Sequence, residues 1–231
     1  MFYNSTYLLF MAPAFILTML AQLYVNSSYK KWGRVQASSG LSGADAAARL
    51  TRSAGLYNVK IEGIRGKLTD HYDPRSKVLR LSEGVYGGNS VASLAIAAHE
   101  LGHAMQDQDE YFPLRLRAMI VPAVNIGSYL GWILIMLGLF LQMVNLAWLG
   151  VIVFSGGALF ALVTLPVELN ASARAKAMLT TSGLIRTEEE QRGVNTVLNA
   201  AALTYIAALF TAIMQLLYWA SLITGMGSRR R

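Results

Sequence analysis

The chain has 231 residues, of which 54% are hydrophobic and only 14% charged, with no cysteine and a formal net charge of +7. Charged residues make up about 25% of an ordinary soluble domain, so this chain is too apolar to be one. The absence of cysteine excludes disulfides and thiolate ligands and is compatible with a reducing compartment, while the basic surplus suits anionic lipid head groups and needs no nucleic-acid partner.

Taken in order, the first element is an uncharged run from Phe2 to Ser28. About 20 apolar residues cross a bilayer as a helix, so a first span is expected near residues 3–25. The run lacks a basic n-region, and its apolar stretch exceeds the 7–15 residues usual in a signal peptide; it is expected to be retained as an anchor. Residues 27–117 then read as a small α+β unit. Ser42 caps a helix that carries Asp45 in its first turn, runs to about Ser53 and stops at Gly55. Val59–Ile64 reads as a short strand; Lys67–Tyr72, Asp73-Pro74-Arg75-Ser76 and Lys77–Ser82 read as strand, turn and strand. Gly87-Gly88 breaks the chain before a longer helix, with Asn89 or Ser90 as its N-cap.

That helix contains Ala97-Ala98-His99-Glu100-Leu101-Gly102-His103-Ala104. Residues four apart share a helix face, so His99 and His103 can present two imidazoles to one ion, the arrangement of the His-Glu-x-x-His zinc motif. Glu100 falls beside the ion rather than on it, where a base that activates water belongs. Only three histidines occur in the chain, and two of them have this spacing.

Ala118 to Val167 is again uncharged and about twice the length of one crossing. Gln142-Met143-Val144-Asn145 divides it, which predicts a hairpin of spans near 119–141 and 146–167. Residues 168–200 return to polar composition, with Thr187-Glu188-Glu189-Glu190 as a capping box. A last span is expected near 203–224. Core helices of a soluble bundle would show a polar stripe, whereas these runs are apolar all round. No internal repeat, low-complexity tract or flexible linker interrupts the pattern. The fold expected is a mainly α membrane protein: about four transmembrane helices with a small cytoplasmic α+β zincin-like metalloprotease unit, 1–231 forming one membrane-embedded domain.

Basic residues cluster in the two polar segments, among them Lys30, Lys31, Arg34, Arg115, Arg117, Arg174 and Arg192. With four spans both segments share one face, and the positive-inside rule puts that face, and His99, in the cytoplasm. Arg229-Arg230-Arg231 argues the other way and is outvoted by the flanks of the earlier spans.

A catalytic zinc takes three protein ligands and leaves one position open. His71 lies in a polar stretch with Asp70, Tyr72 and Asp73 and is expected to be an exposed turn histidine. Glu168 follows Pro166-Val167 at the end of an apolar span, an awkward depth for a lone carboxylate. Pairing with Arg174 is one answer; coordination to a divalent cation is the better one. The expected ligands are therefore His99, His103 and Glu168 around one Zn2+ per chain, although two imidazoles and a carboxylate also accept cobalt or manganese.

With Glu168 arriving after a membrane hairpin, the motif resembles the gluzincin metallopeptidases, including the heat-shock membrane protease and prenyl-protein endoprotease types. Residues Leu68–Ser82, the block from Ala97 to Gln106, and Pro166-Val-Glu-Leu-Asn-Ala-Ser172 resemble more closely the neutral zinc metallopeptidase family of bacterial integral-membrane proteins. The resemblance extends to Ser42-Gly43-Ala44 and Ala201–Tyr205 and implies a bacterial inner-membrane location. Several soluble gluzincins carry an aspartate four residues after the ligand glutamate to orient a ligand histidine. Ser172 stands there in this chain, so Asn170 and Ser172 are both candidates for that role. Proteases of this type resemble one another in pairing extended substrate with an edge strand, which makes Val78, Leu79, Arg80 and Leu81 a candidate substrate strand. Tyr205 and Arg174 are guesses for an oxyanion donor.

These parts predict a membrane-anchored zinc endopeptidase acting on protein or peptide substrates, with Glu100 as general base. Two alternatives stand beside it. A site-2-type intramembrane protease would add an Asn-Pro-Asp-Gly-like segment, which the chain lacks, and would not follow His103 with Asp107, Asp109 and Glu110. A zinc-binding membrane scaffold would have no use for Glu100.

Overall fold

The computed structural model describes residues 5–228. The elements in chain order are α1 (Ser5–Trp32), α2 (Gly43–Ser53), β1 (Lys60–Ile64), β2 (His71–Asp73), β3 (Val78–Ser82), α3 (Glu83–Tyr86), α4 (Val91–Gln108), α5 (Phe112–Phe140), α6 (Val144–Phe154), α7 (Gly156–Thr181) and α8 (Glu188–Ser228). Among the described residues, four helical stretches are long and apolar enough to cross a membrane: 5–32, 112–140, 144–181 and 188–226. Each helix outruns its apolar stretch, and the third is interrupted at Ser155, where α6 ends and α7 begins. The start of the first expected span and the Arg229–Arg231 cluster lie outside the described residues.

The contacts divide the chain into two compact units. One comprises residues up to 21, 115–165 and from 204 onward. Its core is small, centred on Ile135, Ala147, Val151 and Ile223. There α5 and α6 approach closely because Gly131, Gly138 and Gly150 lack side chains where the partner backbone passes. Its outer surface is apolar: Ile126, Tyr129 and Phe140 are 70%, 79% and 84% exposed. A patch of that kind is unfavourable against water and natural against lipid.

The other unit comprises residues 22–114 and 166–203 and has a conventional packed core. Leu50, Leu79, Leu81, Leu94, Leu101, Leu179, Leu184 and Leu198 are buried in it. Local signals set its elements. Ser42 Oγ accepts the Asp45 N–H at 3.1 Å to start α2, and Ser90 Oγ accepts the Ser93 N–H at 3.1 Å to start α4. Thr187 and Glu190 complete a reciprocal capping box, with Glu190 N to Thr187 Oγ1 at 3.1 Å and Thr187 N to Glu190 Oε2 at 2.9 Å. The same carboxylate also accepts the backbone and hydroxyl of Ser38, tying the segment after α1 to the start of α8.

The sheet order is β1-β3-β2, with β1 parallel and β2 antiparallel to β3. This corrects the expectation that Val78, Leu79, Arg80 and Leu81 form an edge strand. β3 is the central strand, its backbone committed to β1 along Val78–Ser82 and to β2 at Val78–Arg80. Leu79 and Leu81 are fully buried, so the segment is core and cannot take a further strand. Strand β2 is also shorter than expected. Gly66 and Leu68 adopt positive φ of 115° and 56°, which turns the chain where residues 67–70 were expected to be extended. The turn itself is as expected in kind: the Asp73 carboxylate accepts the Arg75 N–H and the Ser76 hydroxyl at 3.0 and 2.6 Å. Helix α3, a single turn, was not anticipated.

Candidate metal centre

Two helices of the second unit build the site. α4 carries His99, Glu100 and His103; the part of α7 from Pro166 onward carries Glu168, Asn170 and Ser172. They can meet because Gly102 sits between the histidines on the α4 backbone. A β-carbon there would lie 2.4 Å from the Ala171 carbonyl oxygen and 3.0 Å from the Ala171 carbonyl carbon and Cα. Only glycine permits that approach. One turn from Ala171, the Glu168 side chain then reaches both imidazoles.

Glu168 Oε2 lies 3.3 Å from His99 Nε2 and 3.4 Å from His103 Nε2. The imidazole rings stand nearly perpendicular, at 83° with centroids 5.0 Å apart, and the three ligand atoms all lie within 4.8 Å of one another. Donors on a tetrahedral ion with bonds of about 2.0–2.1 Å are separated by roughly 3.3–3.4 Å. The two measured imidazole–carboxylate edges match that figure. The set is also sheltered: the histidine side chains are 12% exposed and that of Glu168 is 5% exposed. A buried carboxylate facing two imidazoles is what a divalent cation requires, so the residues fit zinc.

The outer contacts support the same reading. His99 Nδ1 is 3.2 Å from Ser172 Oγ, and His103 Nδ1 is 3.0 Å from Gln106 Oε1. With the proton on Nδ1 each imidazole donates to its oxygen and turns the Nε2 lone pair toward Glu168. Gln106 is held in turn, donating from Nε2 to the Val167 carbonyl at 2.7 Å and to Asn170 Oδ1 at 3.0 Å. Asn170 Oδ1 also accepts from Arg174 Nε at 2.8 Å, and Arg174 pairs with Asp109 beyond the end of α4. Burial opposes a charged His103, but its bond to Glu168 and the nearby Glu100 and Glu168 charges outweigh it, and the His103 pKa is raised above the ordinary value. The carboxylates around His103 favour positive charge there, which a divalent ion would supply.

His99, His103 and Glu168 therefore come together, with Glu100 on the same helix beside them. Ser172 touches His99 directly, while Asn170 acts one step further out through Gln106. His71 is not part of the group; it is exposed on β2, with Nδ1 2.9 Å from the Thr69 carbonyl. Arg174 is engaged by Asn170, Asp109 and the Tyr111 ring. Tyr205 lies on α8 in the first unit. Gln106, fully buried in the structure, is the residue that motif reading missed; its one signal in the sequence is a spacing of three from His103, which puts both on one helix face. Gln106→Leu keeps the volume but removes the acceptor for His103 Nδ1–H. It is expected to weaken zinc binding about 10–100-fold with little change in helicity, measurable by competition with a zinc indicator.

The sheet buttresses the far end of α4. Tyr72 on β2 donates to Asp107 Oδ2 at 2.7 Å, and Lys77 pairs with the same oxygen. Burial and the Asp107 bond push the Tyr72 phenol well above its ordinary pKa, so it remains a proton donor throughout the physiological range.

Comparison with known proteins identifies the family. The family described as "Putative neutral zinc metallopeptidase" matches residues 7–224. A curated relative from Bacillus subtilis (strain 168), named "Putative membrane protease YugP", is 49% identical over 201 residues, covering 87% of this chain and 89% of that one. No solved structure matches. With a family match spanning nearly the whole chain, the protein belongs to the family described as putative neutral zinc metallopeptidases.

Proposed function

We propose that the chain is a membrane-anchored zinc endopeptidase that hydrolyses protein or peptide substrates at the cytoplasmic face of the membrane. The observation that carries the reading is the convergence of His99, His103 and Glu168, with both imidazole–carboxylate edges at the tetrahedral distance and Glu100 on the helix that carries the histidines. His99 Nε2, His103 Nε2 and one Glu168 oxygen would hold the ion. Bound there, zinc supplies a Lewis acid that makes water acidic near neutral pH and polarises a carbonyl.

The chain's own groups supply the rest. Glu100 takes the proton from the attacking water at its carboxylate and returns it to the departing amine, so that a stable amine leaves rather than an amide anion. Gln106 presents its amide oxygen to His103 Nδ1, which favours the tautomer that leaves Nε2 free, and Ser172 positions the His99 ring. Burial of Glu168 holds water away from the ligand side of the site, where the local dielectric strengthens every charge interaction. Basic residues concentrated in the two polar segments support a cytoplasmic active site, and the four apolar helices support an integral membrane anchor. A role in removing misfolded membrane proteins or exposed segments near the bilayer follows from that position.

The test is cleavage of a loosely folded protein by the detergent-purified chain. Chelation is expected to abolish cleavage and added zinc to restore it; cleavage that survives complete zinc removal would sink the proposal.

A further inference from the structure

A second feature of the same unit lies apart from the metal ligands. At the C-terminal end of α1 is a cavity of about 740 Å3 lined in part by Lys30, Arg34 and Lys67, with Asn26 and Tyr29 as neutral donors. Its far wall includes Ser90 and Ser93 at the start of α4, the helix that carries the histidines. The volume falls within the roughly 300–1,000 Å3 of small-ligand sites and is much larger than a single phosphate ion needs.

Charge in this cavity is unbalanced. Three cations line it and no carboxylate does. Lys67 lies over the Tyr29 ring at 5.3 Å, and none of the three makes an ion pair among the described residues. Asp70, whose charge acts on Tyr29, accepts from the Ser82 N–H at 2.7 Å and the Ser82 hydroxyl at 3.0 Å, and its single negative charge leaves the three cations in surplus. The donors are mixed in a way that suits a phosphodiester: a planar guanidinium fork, two ammonium point charges, an amide and a phenol.

Position along the chain selects among phosphate-bearing ligands. α1 is uncharged up to Lys30, so Asn26, Tyr29 and Lys30 occupy the first turn and a half where an apolar helix gives way to polar residues. For a helix that crosses a bilayer this is the depth of the head groups, where basic clusters recognise anionic lipid. We infer that the cavity binds the head group of an anionic phospholipid, with Lys30, Arg34 and Lys67 on its phosphodiester. The inference rests on α1 as a membrane helix and is independent of peptidase activity.

The experiment uses the full chain in zwitterionic detergent, titrated with short-chain phosphatidylglycerol, short-chain phosphatidylcholine or inorganic phosphate, with thermal stability and calorimetric binding as readouts. Phosphatidylglycerol is expected to bind saturably and raise Tm, while the other two leave it unchanged at the same concentration. Lys30→Gln/Arg34→Gln/Lys67→Gln should weaken that binding about a hundredfold. The control Arg52→Gln/Lys60→Gln/Arg75→Gln removes the same charge away from the cavity and should bind as wild type. All six side chains are on polar surface, and unliganded Tm confirms folding; Lys30→Arg/Lys67→Arg should also retain binding. Equal losses in the two triple variants would mean diffuse attraction and overturn the site. Equal binding of inorganic phosphate would overturn the lipid assignment.

Discussion

Glu168→Ala is expected to reduce zinc from one per chain to a trace while leaving the helical content intact. Alanine is the best helix former, so α7 loses nothing locally. The loss at the site is larger. Glu168 Oε2 is the atom shared by both measured donor edges, and without it His99 and His103 remain as two neutral ligands on one helix. Removing an outer partner of a metal ligand costs about 10–100-fold in affinity, and removing the ligand itself should exceed that range. Glu168→Gln separates charge from shape, since it keeps the reach of the side chain and discards its negative charge; intermediate affinity is expected. Metal analysis after dialysis against a weak chelator, together with far-ultraviolet circular dichroism, reads both quantities. Unchanged zinc in Glu168→Ala would remove Glu168 from the ligand set.

The second large effect is expected at Gly102, and its sign is informative. By helix propensity alone, Gly102→Ala should stabilise α4 by about 1 kcal/mol. Packing opposes this. The new methyl would sit 2.4 Å from a backbone carbonyl oxygen of α7, which cannot rotate away as a side chain would. Overpacking typically costs about 1–3 kcal/mol, and a clash against backbone belongs at the upper end, so packing wins and the variant should be less stable. Because Gly102 lies between the two ligand histidines and Ala171 lies three residues from Glu168, the forced separation acts on the donor edges themselves. Lower Tm and loss of stoichiometric zinc should therefore appear together. A Tm equal to or above wild type, with zinc retained, would contradict the close approach.

Much of this architecture is legible in residue order, for identifiable reasons. Membrane-type helices announce themselves by composition, because a bilayer demands about 20 apolar residues whatever their packing partners. Helix starts at Ser42, Ser90 and Thr187 are equally local, since a cap is satisfied within three residues. His99 and His103 follow from helical periodicity, and Glu168 from the cost of a carboxylate at the end of an apolar run.

What was missed depends on contacts distant in sequence. The order β1-β3-β2 places the last strand in the middle, and a strand carries no mark of whether one or both of its edges are paired. The apolar residues Val78, Leu79 and Leu81 were a partial hint, since they do not alternate strictly, and in the structure all three are buried with Ser82. Gln106 was overlooked because an amide in a helix reads as surface until its partners are known. Here those partners are a ligand histidine on its own helix and Val167 and Asn170 on α7, 61 and 64 residues away. Ser172 does reach His99 Nδ1, so the contact at that ring nitrogen is made by a neutral hydroxyl. Such a contact positions the ring without adding a second negative charge beside Glu168, whereas the tautomer is selected only at His103, where the Gln106 amide oxygen can only accept.

The central claim is that a zinc ion and Glu100 together hydrolyse peptide bonds, and Glu100→Gln tests it most directly. The substitution keeps the size of the side chain and leaves His99, His103 and Glu168 in place. Detergent-purified wild type and variant should each retain one zinc per chain. Wild type should cleave a loosely folded protein substrate, and the variant should be slower by about 100- to 10,000-fold, the range a positioned acid–base group contributes. Equal zinc with equal cleavage rates in the two proteins would contradict the assignment of Glu100 and the mechanism built on it.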